Sequence, residues 1–172
     1  MIKVEYAQID DFEMVSDLGR RAFQEAFGQY NDPGDMQAYL DLSFDPQRIK
    51  AQLQDPKVVY LIATYMETPV GYAKLIRNAV TTYTDHDLKQ IQMERIYALG
   101  AYVGKKIGKA LMQESLRIAK AEGFQYMWLG VWQENQRAIK FYKDFGFEII
   151  GVKQFVIGNE VNDDYVMGVK LP

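Results

Sequence analysis

Cysteine is absent from this 172-residue chain, which removes disulfides, thiolate metal sites and a cysteine nucleophile together. Histidine occurs once, as His86 in the polar stretch Tyr83-Thr84-Asp85-His86-Asp87. A zinc site around it would have one imidazole and only carboxylates to complete it. A serine triad would have to recruit the same residue, and no G-x-S-x-G elbow surrounds Ser16, Ser43 or Ser115. His86 is therefore read as a surface residue without a chemical role, and no metal is expected. Apolar runs are short as well: nothing approaches the roughly 18–20 residues needed to cross a bilayer. The start Met1-Ile2-Lys3-Val4-Glu5-Tyr6 lacks a signal-peptide pattern, so a cytoplasmic location away from membranes is expected. Nor is there an excess of one charge. Twenty Lys and Arg against 23 Asp and Glu leave a net −3, which gathers no nucleic acid, so any phosphate must be held by a local cluster. Chemistry is left to Tyr, Glu, Asp, Lys, water and the backbone.

The length and ordinary globular composition predict one domain over residues 1–172. Ile2–Tyr6 alternates like a strand. Asp10 or Asp11 caps a helix carrying Met14, Leu18, Ala22 and Phe23 and ending near Gly28. Pro33 and Pro46 open two further short helices. Val58–Ala63 and Val70–Ile76 flank a turn at Glu67-Thr68-Pro69 and read as an antiparallel hairpin. Gln92–Leu99 is the next strand. A helix then runs to Glu122, followed by the apolar strand Tyr126–Trp132, which makes a βαβ unit with parallel strands. Asn135 caps a last helix with Ala138, Phe141, Tyr142 and Phe145 on one stripe, and Gly146 stops it. Phe147–Phe155 and Asp164–Val169 close the chain as strands. The predicted class is mixed α/β: about six to seven strands, antiparallel in front and parallel and splayed at the centre, with about four to five helices.

The segment Gly104-Lys105-Lys106-Ile107-Gly108-Lys109 opens the helix that ends before Gly123. Three ammonium groups crowd the positive end of a helix dipole, where each costs about 0.3–1 kcal/mol. A docked anion would offset that cost, since the first-turn N–H groups, glycines and lysines together form a phosphate cradle. The alternative is a solvated lysine run without a ligand. Neither G-x-x-x-x-G-K-[ST] nor G-x-G-x-x-G is present, which speaks against a P-loop or a dinucleotide fold.

The segment Asn135-Gln136-Arg137-Ala138-Ile139-Lys140-Phe141-Tyr142-Lys143-Asp144-Phe145-Gly146-Phe147 follows the strand ending Trp128-Leu129-Gly130-Val131-Trp132. It resembles the GNAT superfamily of acetyl-CoA-dependent N-acetyltransferases. The wording Glu94-Arg95-Ile96-Tyr97, Trp128-Leu129-Gly130-Val131-Trp132-Gln133-Glu134-Asn135 and Asp35-Met36-Gln37-Ala38-Tyr39-Leu40 is similar, within that superfamily, to bacterial PaiA-type polyamine acetyltransferases. One departure stands out. The family's pyrophosphate loop is usually Q/R-x-x-G-x-G/A, and Val103, Lys106 and Gly108 stand at those positions here.

The resemblance implies acetyl-CoA as co-substrate. Its pantetheine arm would lie along Ile96, Tyr97 and Ala98, its diphosphate across Gly104, Lys105, Lys106, Ile107, Gly108 and Lys109, and Asn135 would reach the arm when not consumed as a cap. Tyr142 is the candidate acid for the departing thiolate, because a phenol with a reference pKa near 10 is protonated at neutral pH; packing in the aromatic stripe is its plain alternative. Glu94 is the candidate base, acting through water, against an ion pair with Arg95 or a plain surface carboxylate. Glu25 and Trp132 are candidates for the amine end, one to attract a cation and one to pack against an alkylammonium chain. The expected activity is direct acetyl transfer to a primary amine, a polyamine or other small amine. A protein or peptide N-acetyltransferase and a non-catalytic CoA sensor are the alternatives. The resemblance also allows a homodimer through terminal strands.

Overall fold

The computed structural model describes all 172 residues. The chain forms strands β1 (Ile2–Tyr6), β2 (Val58–Tyr65), β3 (Thr68–Arg77), β4 (Gln90–Ala98), β5 (Tyr126–Trp132), β6 (Glu148–Ile157) and β7 (Glu160–Lys170), and helices α1 (Phe12–Phe27), α2 (Pro33–Ser43), α3 (Pro46–Gln54), α4 (Ile107–Ala121) and α5 (Gln136–Asp144). One sheet carries all strands in the order β1-β2-β3-β4-β5-β7-β6. Every neighbouring pair is antiparallel except β4 and β5.

Strand alternation sends side chains to two cores. Val59, Leu61 and Ala63 of β2 pack with Leu111, Met112 and Ile118 of α4 and with Ile139 and Tyr142 of α5. Tyr60 and Ile62, one residue out of phase, face Leu18 and Phe23 of α1, Leu40 of α2 and Ile49 of α3. The helix starts follow the capping rules. Asp32 accepts from Asp35 N–H at 3.0 Å, and Asp45 from Gln47 N–H at 2.7 Å, each with proline at the first helical position. The β2–β3 turn falls at Met66-Glu67, one position before the expected Glu67-Thr68-Pro69. Both residues have positive φ, 48° and 68°, as a two-residue primed turn requires, although neither is Gly or Asn.

Two irregularities shape the centre of the sheet. Lys74 pairs with Arg95 while Leu75 pairs with Met93, so Glu94 is the extra residue of a β-bulge. The β4–β5 ladder extends only from Gln90–Tyr126 to Gln92–Trp128; beyond it β5 continues alongside β7, and the two strands part. Gly71 of β3 seats the start of α4 close to the sheet: a Cβ there would lie 2.8 Å from Ile107 Cγ2 and 2.8 Å from the Tyr97 carbonyl.

Candidate active site

The opening between β4 and β5 leads into a cavity of about 780 Å³. At one end lies the turn into α4. Gly104 has φ +87° and Lys106 φ +65°, and Lys106 is the residue before the helix. Lys106 thus holds the left-handed conformation that glycine adopts most readily, at a cost of about 1–2 kcal/mol. Lys105 N–H bonds the Tyr102 carbonyl and Ala110 N–H bonds that of Lys106. The amides of Lys106, Ile107, Gly108 and Lys109 have no backbone or side-chain acceptor, which is the donor row of an anion site. Lys106 and Lys109 line the cavity. Lys105 does not; its ammonium lies 5.2 Å from the Tyr65 ring centroid, away from the opening.

The second element is the open edge of β4. Leu99 N–H bonds the Val70 carbonyl at 2.8 Å, so alternation turns Tyr97 toward β3 and leaves the N–H and C=O of Ile96 and Ala98 facing the opening. These groups can extend a ladder to an extended ligand. Of the two backbone donors considered from sequence, Ile96 rather than Tyr97 faces the gap. Tyr97 lines the cavity with its ring and packs edge-on to Phe27, centroids 5.9 Å apart.

Tyr142 projects from α5 into the same space. Its side chain is buried, packed on Phe141 and Phe147, and its hydroxyl bonds no protein group yet is reachable from the cavity. Burial pushes its phenol above the ordinary value, so it is protonated across the neutral range. Asn135 caps α5 by accepting from Ala138 N–H at 3.2 Å; its amide nitrogen makes no hydrogen bond and the residue lines the cavity.

The other end of the cavity is charged. The bulge turns both Glu94 and Arg95 to the α1–α3 side. Glu94 forms an ion pair with Lys74 at 2.7 Å, with the lysine side chain only 6% exposed; the alternative pair with Arg95 is not formed. Burial raises the Glu94 carboxyl, but the charge and hydrogen bond of Lys74, aided by Arg95 and Lys153, hold it below the usual range. Arg95 instead reaches Tyr39 Oη at 3.2 Å and lies over Phe44, with no carboxylate partner. Glu25 lines the cavity but accepts from Gly100 N–H at 2.6 Å, so it ties α1 to the loop before α4. Trp132 packs edge-on to Tyr30, centroids 4.8 Å apart. Asp164 of β7, opposite Trp132 and Lys153 in the ladders, is 8% exposed. Burial lifts its carboxyl to about 6, with Lys153 opposing and Asp163 adding to the rise.

Lys153, Asp164 and the orientation of Arg95 escaped the sequence reading. Lys153 and Asp164 lie in ordinary alternating strands, and only the pairing of β5, β7 and β6 brings them to the opening.

A splayed parallel pair, a free edge on one strand, unpaired amides at the next helix and a buried tyrosine opposite thus converge on one cavity. The chain belongs to the Acetyltransferase (GNAT) family, whose sequence profile matches residues 17–147. It is 32% identical to an uncharacterized N-acetyltransferase of Mycobacterium tuberculosis over 157 residues, 91% of this chain and 96% of that one. The N-alpha-acetyltransferase RimI of the same species is 28% identical over 127 residues, covering 74% of this chain and 75% of its own. In fold it resembles the PaiA N-acetyltransferase of Thermoplasma acidophilum solved with coenzyme A, at TM-score 0.78 and 20% identity over 99% of both chains. It is thus an acetyl-CoA-dependent N-acetyltransferase in class. No helix is long and apolar enough to cross a membrane.

Proposed function

We propose that the chain transfers acetyl directly from acetyl-CoA to a primary amine at the β4–β5 opening, and that a polyamine or another small aliphatic amine is its acceptor. The carrying observation is the convergence on one cavity of the unpaired amides before and within the first turn of α4, the free edge of β4 and the Tyr142 hydroxyl. These groups fit the co-substrate. Lys106 to Lys109 hold the diphosphate with backbone N–H groups, Lys106 and Lys109 adding charge. Ile96 and Ala98 hold the pantetheine by strand-like bonds, and the side-chain N–H group of Asn135, whose oxygen caps α5, remains to donate one more. Acetyl-CoA supplies the activated acetyl group as a thioester.

The Ile96 N–H then faces developing charge on the thioester oxygen. Tyr142 donates its proton to the departing sulfur, and its protonated state at neutral pH suits that role. Glu94, bound to Lys74 and held acidic, orients the floor more than it accepts protons. Trp132, Tyr30 and Tyr39 give an aliphatic amine apolar surface. We take the reaction to occur in the cytoplasm, the domain to span 1–172, and a homodimer to be compatible with it.

A second reading, acetylation of a peptide N-terminus, is favoured by Arg95, a cation without a carboxylate partner that suits a carbonyl- or carboxylate-bearing acceptor, and by the likeness to RimI. Thiol release measured with spermidine, spermine, glucosamine, free amino acids and a short peptide at equal concentrations separates the two. A polyamine is expected to give the highest kcat/KM. A peptide well ahead of it would replace the first reading with the second, and acetyl-CoA binding without release on any amine would make the chain a sensor.

A further inference from the structure

Resting on the amine-transfer reading above, we infer that Asp164 is the proton acceptor for the acceptor ammonium, directly or through one water, with Lys153 keeping it ionised. An amine reaches the enzyme as an ammonium and must lose a proton before it can attack. Three carboxylates line the cavity. Glu25 is taken by Gly100 N–H and Glu94 by Lys74. Asp164 alone has no hydrogen bond and no ion pair, although it is more than nine-tenths buried, and its oxygens are reachable from the cavity. An unpaired buried carboxylate is costly, and a cationic ligand would compensate it.

The strand pairing explains how it is aimed. Asp164 lies opposite Trp132 on β5 and Lys153 on β6, so all three side chains share one face. Gly130, two residues before Trp132, has no side chain, and the space above it is filled by the end of Lys153 and by Asp164 Oδ2; a Cβ there would meet Nζ at 2.9 Å and Oδ2 at 3.5 Å. Lys153 therefore reaches over β5 toward the opening, where its charge also acts on Glu94. Around Asp164 stand Lys153 from β6 and Asp163 on its own strand, while Glu94 and Arg95 of β4 line the same cavity. Its carboxyl, near 6, is a stronger base than Glu94 and still ionised at pH 7.

The proton count closes. The ammonium gives one proton to Asp164; the neutral nitrogen forms the C–N bond as the C–S bond breaks. Tyr142 protonates the sulfur and is restored by the second nitrogen proton. Asp164 returns its proton to solvent, the one proton released per turnover.

The test is the pH dependence of kcat/KM for wild type, Asp164→Asn and Glu94→Gln, with acetyl-CoA affinity measured by calorimetry as a control for folding. Wild type should show an acid limb near pH 6, which Glu94→Gln should retain. Asp164→Asn should bind acetyl-CoA normally and lose about 10²–10³-fold at pH 7. Its limb should move up to the acceptor amine's own pKa, and an acceptor of low pKa should restore much of the rate. A limb unmoved in Asp164→Asn, whether or not KM rises, or one lost in Glu94→Gln, overturns the assignment. Should Asp164→Asn fail to fold, the Asp164 carboxyl carbon is followed by NMR in wild type; titration near 4 instead of near 6 also overturns it. If wild type releases no CoA with any amine, the amine-transfer reading itself is what fails.

Discussion

Replacing Glu94 by Gln separates the two roles a carboxylate on this strand could have. Glu94 neutralises Lys74, which sits in the middle of the sheet with its side chain 6% exposed and its ammonium 2.7 Å from the carboxylate. The other charged neighbours of Lys74, Arg95 and Arg48, are cations, and burial already pulls its ammonium below the ordinary value. Removing one partner of a buried pair costs about 3–5 kcal/mol. Here Glu94 is 36% exposed and Gln keeps an acceptor oxygen, so the expected loss is about 2–3 kcal/mol. Urea unfolding at pH 7 of wild type, Glu94→Gln, Lys74→Met and the double variant forms a cycle that isolates the pair. The double variant should recover most of the stability lost by Glu94→Gln. A loss under about 0.5 kcal/mol, with turnover falling a hundredfold, would refute the ion-pair reasoning and return Glu94 to the role of base.

Three further outcomes follow from the same geometry. Tyr142→Phe keeps the ring packing and should bind acetyl-CoA as wild type does while kcat falls about 10²–10⁴-fold; unchanged turnover would leave Tyr142 as packing. Lys106→Gly relieves a left-handed lysine at some entropic cost and should gain about 0.5–1 kcal/mol in thermal unfolding, while CoA binding weakens at low salt and depends less on salt; equal affinity at all salts would remove Lys106 from the diphosphate site. Asp164 binds its proton more tightly folded (about 6) than unfolded (3.8), so its contribution to stability is lost as pH rises from about 4 to 6. Relieving it, Asp164→Asn should gain about 1–1.5 kcal/mol more at pH 8 than at pH 5 in urea unfolding; an equal effect at both would contradict the shift.

Much of this fold is legible in the sequence because its signals are local. Pro33 and Pro46 behind aspartate caps, Gly123 and Gly146 after helices, and two-residue alternation in β2 and β3 each act within a few residues. The end of the cavity with the unpaired amides, proposed for the diphosphate, is legible for the same reason, since the glycines and lysines before α4 are contiguous. The charged end is not. Glu94 and Arg95 share a face only because of a bulge, and Lys74 reaches Glu94 only through the β3–β4 register. Lys153 and Asp164 come to the opening through β5–β7–β6 pairing. Lys105 shows the converse: charge in the right segment, but a side chain turned to Tyr65.

The central claim, direct transfer at the opening between β4 and β5, is tested most directly by a single-turnover experiment with acetyl-labelled acetyl-CoA, an excess of enzyme, and quenched samples resolved into protein, CoA ester and amine. With an accepted amine present, the label should pass to the N-acetylamine with no labelled protein at any time, and in its absence it should stay on CoA. Label accumulating on the protein before the amine, or CoA released at the same rate without an amine, would contradict the account.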